Sequence, residues 1–108
     1  MLSRKKENKS PAFQFYARDF LADINVQLMN MEQRGMYITL LSYAWLEKGI
    51  PNNMRKLKLL CNNPNDFDEL IVDVLACFEE SDGRLYNRRM ESVRAEQIER
   101  KTTETEPC

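Results

Sequence analysis

Asn30 to Pro51, NMEQRGMYITLLSYAWLEKGIP, decides how the rest of the chain is arranged. Asn30 is an N-cap residue type, with Gln33 three residues on as its capping-box partner and Glu32 beside the positive start of the helix. Gly49 and Ile50-Pro51 form a stop signal, because glycine takes up the left-handed position past a helix end and proline cannot continue it. At 100° per residue, Met31, Gly35, Tyr37, Ile38, Leu40, Leu41, Ala44, Trp45 and Leu46 cover well over half of the circumference. Glu32, Met36, Thr39, Tyr43 and Glu47 form the strip expected to face water. An apolar arc this wide predicts the central helix of the domain, a core element with no chemistry of its own. Gly35 in its second turn costs about 1 kcal/mol against alanine, so close packing is expected there.

A chain of 108 residues is one domain with a modest core. Its 43% hydrophobic and 31% charged residues are those of an ordinary globular protein. The longest apolar runs fall far short of the ~18 residues that a membrane span needs. Residues 1–10 are basic but lead into no apolar stretch of the secretory kind, so the cytoplasm is the expected location.

Cys61, Cys77 and Cys108 show no C-x-x-C spacing, and the chain has no histidine. That removes the usual zinc clusters, together with Ser-His-Asp and Cys-His catalysis. Cys61 and Cys77 sit at apolar helix positions and read as small buried hydrophobes. Gly35, Gly49 and Gly83 are the only glycines, so no phosphate-cradling glycine loop exists. No pair of acids is set across a cleft. The chain reads as a non-enzyme without cofactor or metal.

Charge is distributed in blocks. Residues 1–10 carry Arg4, Lys5, Lys6 and Lys9 against Glu7, and residues 49–62 carry Arg55, Lys56 and Lys58 with no acid. Residues 63–82 then hold Asp66, Asp68, Glu69, Asp73, Glu79, Glu80 and Asp82 with no base. Residues 83–101 turn basic again through Arg84, Arg88, Arg89, Arg94, Arg100 and Lys101. Such blocks read either as solvated faces or as two electrostatic surfaces meeting different partners.

In chain order, residues 1–10 form a flexible basic arm. Phe13 and Phe15 alternate with polar neighbours as in a short extended segment, and Tyr16, Phe20, Leu21 and Ile24 recur at helical spacing. Phe13, Phe15 and Phe20 are expected against the central helix; stacking on bases beside Arg18 is the weaker use of these rings. A second helix, NNMRKLKLLCN, puts Met54, Leu57, Leu60 and Cys61 on one side and is broken by Pro64. A third, DFDELIVDVLACF, capped by Asn63 or Asn65, repeats Phe67, Leu70, Ile71, Val74, Leu75 and Phe78 at the i, i+3, i+4, i+7 positions. Asp82-Gly83 between two short runs is a hairpin signal of the type I′ kind. Phe78 and Leu85 should point to one side of it and Tyr86 to the other. From Arg88 a charged helix follows with Met90, Val93 and Ile98 as anchors, and residues 102–108 are expected to be a disordered tail.

The order of helix, connector with Ile50, helix, helix and hairpin is that of a winged helix-turn-helix domain over residues 11–101, mainly α with a small β-hairpin. FYARDFLAD, MNMEQRGMYITLLSYAWLEKGIP and DGRLYNRRMESVR also resemble the YdaU-like family of phage and prophage proteins. The matching positions are Phe15, Tyr16, Asp19, Phe20, Leu21 and Asp23; then Glu32, Gly35, Tyr37, Leu40, Leu41, Trp45 and Pro51; then Asp82, Gly83, Leu85, Asn87 and Arg89. The resemblance covers residues 11 to about 95. It implies a winged helix at the head of a phage replication protein, with origin binding or replisome organisation as the function. In that family the chain commonly continues into a region that engages a helicase. This sequence ends at Cys108 without it, and helicase loading is not expected of it alone.

The third helix would be the one laid in the major groove, yet it offers Asp68, Glu69 and Asp73, with Asp66 at its start. Acids repel phosphates and oppose the release of counterions that drives binding. Duplex DNA is therefore expected to be gripped through its backbone by Arg55, Lys56 and Lys58 of the second helix and Arg84, Arg88 and Arg89 around the hairpin. The alternative is a protein-interaction module, with the acidic helix docked on a basic partner or the last helix paired into a dimer.

Overall fold

The computed structural model describes residues 12–105. Six α-helices and three short strands follow in order: α1 (Ala17–Ala22), α2 (Ile24–Gln27), α3 (Met31–Glu47), β1 (Ile50–Pro51), α4 (Met54–Leu60), α5 (Phe67–Leu75), β2 (Glu79–Ser81), β3 (Arg84–Tyr86) and α6 (Arg88–Thr105). The fold is mainly helical with a small antiparallel sheet. No described helix is long and apolar enough to cross a membrane. The basic arm, residues 1–10, lies outside the described residues.

The central helix α3 starts as its sequence demands. The Asn30 side chain accepts from the Gln33 amide at 2.8 Å, and the Gln33 side chain accepts from the Asn30 amide at 2.9 Å. Its end is a two-residue left-handed turn, Lys48 at φ 57° and Gly49 at φ 99°. Lys48 is thus the C-cap, and Gly49 continues the same turn.

The helix faces differently from the sequence expectation in two respects. Met36, expected in water, is buried with Tyr37, Leu40, Leu41, Ala44 and Trp45, while Met31, Ile38 and Leu46 are exposed. A helix apolar nearly all round carries no period that orients it, so the packing of α5 and the sheet decided the face. Gly35 is exposed, and a Cβ there would meet nothing within 4 Å. The close packing expected at Gly35 is absent among the described residues.

Around this helix the core gathers Val26, Ile50, Leu57, Phe67, Ile71, Val74, Phe78, Leu85, Met90 and Val93. Burying each aliphatic or aromatic side chain of this size contributes about 1.5–3 kcal/mol. Phe13 lies 5.2 Å from the Trp45 ring and Phe20 stacks 6.0 Å from Tyr37, as the aromatic lead-in predicts. Phe15 instead packs on Phe20 and stays half exposed. Leu21 and Ile24 point outward.

Helix α4 ends before Pro64 is reached. Asn62 and Asn63 take positive φ of 67° and 50°, a conformation asparagine tolerates, and turn the chain. Both candidate caps of α5 are therefore displaced: Asp66 is its N-cap and makes no side-chain cap bond. Phe67, Ile71 and Val74 of α5 are buried as its period requires.

The hairpin forms at Asp82-Gly83, with φ of 54° and 78°, the pair of positive values that a type I′ turn needs. The connector at Ile50 turns out to be a strand. Ile50 pairs with Leu85 and Pro51 with Arg84, giving the antiparallel order β1-β3-β2. Two residues are too few for a period-2 signal, and the pairing is nonlocal, so the sequence carried no sign of it.

Asn87 closes the hairpin and opens α6. Its Oδ1 accepts from the Met90 amide at 2.9 Å, while its Nδ2 donates to the Cys77 carbonyl at 3.0 Å and the Tyr37 hydroxyl at 3.2 Å. Met90 and Val93 anchor α6, but Ile98 is 61% exposed. The helix continues to Thr105, into the stretch expected to be disordered, since no helix breaker stands before Pro107. Residues 106–108 lie outside the described ones.

Candidate functional site

The six basic residues singled out from the sequence fall into three different situations. Arg55, Lys56 and Lys58 stand exposed on α4, and none has an ion pair among the described residues. The Asn53 side chain caps this helix by accepting from the Lys56 amide at 3.0 Å. Just before it, the Asn52 amide donates to the Gly83 carbonyl at 3.1 Å. The start of the basic helix is thereby tied to the hairpin turn.

Arg84 is tucked inward. Its guanidinium donates to the Gly49 carbonyl at 2.5 Å and reaches the Glu47 carbonyl at 3.4 Å. Arg94 treats the same helix end likewise, donating to the Ala44 and Trp45 carbonyls at 3.2 Å each. The last turn of α3 has no basic residue of its own. Arginines from β3 and α6 thus give donors to the Trp45 and Glu47 carbonyls, while the Ala44 carbonyl also accepts from the Lys48 and Gly49 amides, and both guanidinium groups oppose the negative end of the dipole. Arg94 appeared in the sequence only as one charge in a charged helix, and nothing local marks it as a cap for a helix fifty positions earlier.

Arg88 pairs with Glu79 across the base of the hairpin, and Arg89 pairs with Asp19 of α1 at 2.8 Å. Glu79 lies opposite Tyr86, at the far end of the hairpin from the Asp82-Gly83 turn. At ~3.4 Å per residue the Glu79–Tyr86 end of the hairpin stands about 10 Å along the strands from its turn. The six side chains therefore stand in three different settings.

Arg88 and Arg89 line a groove of about 730 Å³ with Tyr16, Asp19, Glu79 and Asn87. Tyr37 also lines it, and its phenol is pushed far above the ordinary tyrosine value, by burial first and by Cys77 next. Burial also raises the Cys77 thiol. Both groups are held in their neutral forms at neutral pH, which suits packing rather than nucleophilic chemistry.

The acidic helix is also divided. Asp68 and Glu69 are exposed on the first turn of α5. Asp73 accepts from the Gln33 Nε2 at 2.8 Å, and the same amide group donates to the Leu70 carbonyl at 3.1 Å. One buried glutamine therefore caps α3 and holds α5 against it. In the hairpin, Glu80 accepts from the Gly83 amide at 3.1 Å and steadies the turn.

No curated protein and no solved structure gives a match to this chain. A family model described as protein of unknown function (DUF1376) matches residues 11–94, which takes in every element from α1 to the Arg94 cap on α6. The chain belongs to that family, DUF1376.

Proposed function

We propose that this chain is a winged-helix DNA-binding module of the kind found in phage replication proteins, and that it grips duplex DNA mainly by phosphate contacts. The order helix, strand, helix, helix, hairpin and the sheet order β1-β3-β2 support the winged-helix reading. The resemblance to the YdaU-like family supports the phage setting.

The observation that carries the proposal is the exposed set Arg55, Lys56 and Lys58, free of ion pairs among the described residues and tied to the hairpin turn through Asn52 and Gly83. These three make the first phosphate contacts. Arg88 and Arg89 join only by exchanging Glu79 and Asp19 for phosphates, and Arg84 keeps its place under Gly49. Exposed pairs of the Arg88 and Arg89 kind contribute about 0–1 kcal/mol, so such an exchange is inexpensive. Asp68 and Glu69 leave α5 a poor reader of base edges.

Titration of unrelated duplexes at two salt concentrations tests this. Affinity should fall steeply with salt and vary little with sequence. Changing Arg55, Lys56 and Lys58 together to Ala should reduce the slope of log K against log salt by roughly 0.9 for each phosphate that is no longer neutralised. Unchanged binding by that variant refutes the assignment.

Exposed Asp68 and Glu69 favour one second reading, a protein-interaction module whose α5 docks on a basic partner. Replacing both by Asn and Gln tightens DNA binding under the first reading. Under the second it abolishes capture of the basic partner, and the parent chain shows no salt-dependent affinity for duplexes.

A further inference from the structure

We propose that α1 is a latch on the duplex-binding surface: the Asp19 carboxylate holds Arg89 back from DNA, and a phosphate that takes Arg89 releases α1 from the groove it lines. This rests on the duplex reading above, in which Arg88 and Arg89 exchange carboxylates for phosphates. The two exchanges differ in what they set free. Glu79 belongs to β2 and is held there by pairing with Tyr86, so losing Arg88 leaves its strand in place. Asp19 stands on a helix that has little else to hold it.

Helix α1 is six residues long, and none of them is buried. Leu21 points outward, and Phe20 is the residue that packs against the core, stacked 6.0 Å from Tyr37. The Leu21 carbonyl accepts from Gln27 of the adjoining α2. Among the described residues, the Asp19–Arg89 pair at 2.8 Å is the one polar tie from an α1 side chain to a later element. Docking thus depends on one ring and one ion pair. Helices below ~12–15 residues do not stand alone in water, so α1 keeps its shape only while docked.

The chain on either side lets it go without loosening the domain. Tyr16 before the helix (φ −94°, ψ 94°) and Asp23 after it (φ −67°, ψ 124°) are single extended residues. Beyond Tyr16, Phe13 packs on Trp45, and the Ala12 carbonyl accepts from Gln97 at 3.1 Å. Beyond Asp23, Val26 and Met29 are buried, and the Val26 carbonyl accepts from Arg34 at 3.1 Å. Helix α1 is therefore a short strap between two anchors, a unit that opens locally. Its release uncovers the face of the Tyr37 ring on which Phe20 stacks.

A phosphate on Arg89 brings its charge beside the Asp19 carboxylate, and two anions on one guanidinium repel. The pair is exposed, and such a pair shifts an equilibrium by at most about fivefold. By reciprocity, the latch lowers duplex affinity by the same factor by which the duplex loosens the latch. The device is a brake rather than an on-off switch.

Hydrogen exchange of the full chain at low salt, with and without a duplex, tests this. Amides of α1 should exchange up to about fivefold faster with duplex bound, while those of α3 around Leu40 and Leu41 do not speed up. Asp19→Asn should show the raised α1 exchange without duplex, gain nothing further on binding, and bind duplexes up to about fivefold tighter. Asp23→Asn removes the same charge from the same groove and keeps an acceptor for the Asn25 amide. It should leave α1 exchange unchanged and tighten binding less. Equal gains from the two variants overturn the latch, because they report charge alone. So does α1 exchange that is unchanged or slower with duplex bound. If affinity falls when Arg55, Lys56 and Lys58 are replaced while α1 does not respond to duplex, the duplex reading stands and the latch alone fails. A chain that binds no duplex overturns both.

Discussion

The guanidinium of Arg94 lies 4.3 Å from the centroid of the Trp45 ring while donating to the Trp45 carbonyl at 3.2 Å. One side chain thus covers the indole face and caps the helix that carries it. Only 14% of the Arg94 side chain is exposed, so these contacts operate at reduced screening. Arg94→Lys keeps the charge and loses the planar fork, and it should cost about 1–2 kcal/mol of stability. Trp45→Ala should cost about 3–5 kcal/mol, the range of large aromatic truncations. Chemical denaturation of both variants checks the pair, and an unchanged midpoint for Arg94→Lys would remove its capping role.

Gly49 and Gly83 both have positive φ, yet they should respond differently to substitution. A Cβ at Gly49 would stand 2.7 Å from the Tyr86 ring, whereas one at Gly83 meets nothing within 4 Å. Gly49→Ala should therefore cost more than the ~1–2 kcal/mol of the left-handed backbone alone, and Tyr86→Ala in the same chain should recover part of the loss. Gly83→Asn should be nearly neutral, while Gly83→Val should loosen the hairpin. Thermal melts of the four variants order these effects.

Gly35→Ala should do the opposite. The position is exposed, helical and unobstructed. Alanine should stabilise the fold by about 0.5–1 kcal/mol through the lower entropy of its unfolded chain. A melting temperature that falls instead would show that Gly35 is needed within the fold.

Alkaline pH should unfold the protein through Tyr37. Its folded phenol is raised above the unfolded value, chiefly by burial, so its contribution is fully present below about pH 10. As pH rises further the unfolded state loses the proton and the folded state keeps it, and stability declines by up to about 1.4 kcal/mol per pH unit for this one group. Cys61 and Cys77, raised by burial as well, act in the same direction from a lower starting pH. Tyr37→Phe should reduce the alkaline slope of the denaturation midpoint. The Tyr37 phenolate absorbance in the parent should appear only together with unfolding.

Gln33 gives a test of how α3 and α5 are joined. Gln33→Leu removes the capping-box acceptor and both donations to α5 at Leu70 and Asp73. A loss of about 1–2 kcal/mol is expected, the size of a helix cap plus a buried hydrogen bond. Gln33→Glu keeps the acceptor for Asn30 but sets a second carboxylate against Asp73, and it should be at least as costly at neutral pH. Urea denaturation of the two variants beside the parent measures both effects.

Sequence alone was enough for whatever depends on neighbours a few positions apart. Asn30 with Gln33, the positive-φ pair Asp82-Gly83 and the period of Phe67, Ile71 and Val74 are short-range patterns, because caps, turns and helix faces are set by backbone geometry within one or two turns. The break after α4 was legible only through Pro64, whereas the left-handed Asn62-Asn63 turn that follows the helix end first was not, since asparagine carries no such signal by itself. What only the tertiary structure decided is which partner a versatile group meets. α3 is apolar almost all round, so its own residues could not say that Met36 faces inward and Leu46 outward. Arg84, Arg88 and Arg89 are three similar charges in sequence, yet one caps a helix and two pair with Glu79 and Asp19, the last from the other end of the domain. An arginine fork suits a carbonyl, a carboxylate or a phosphate equally well, and the choice is made by which of them the folded chain brings within reach.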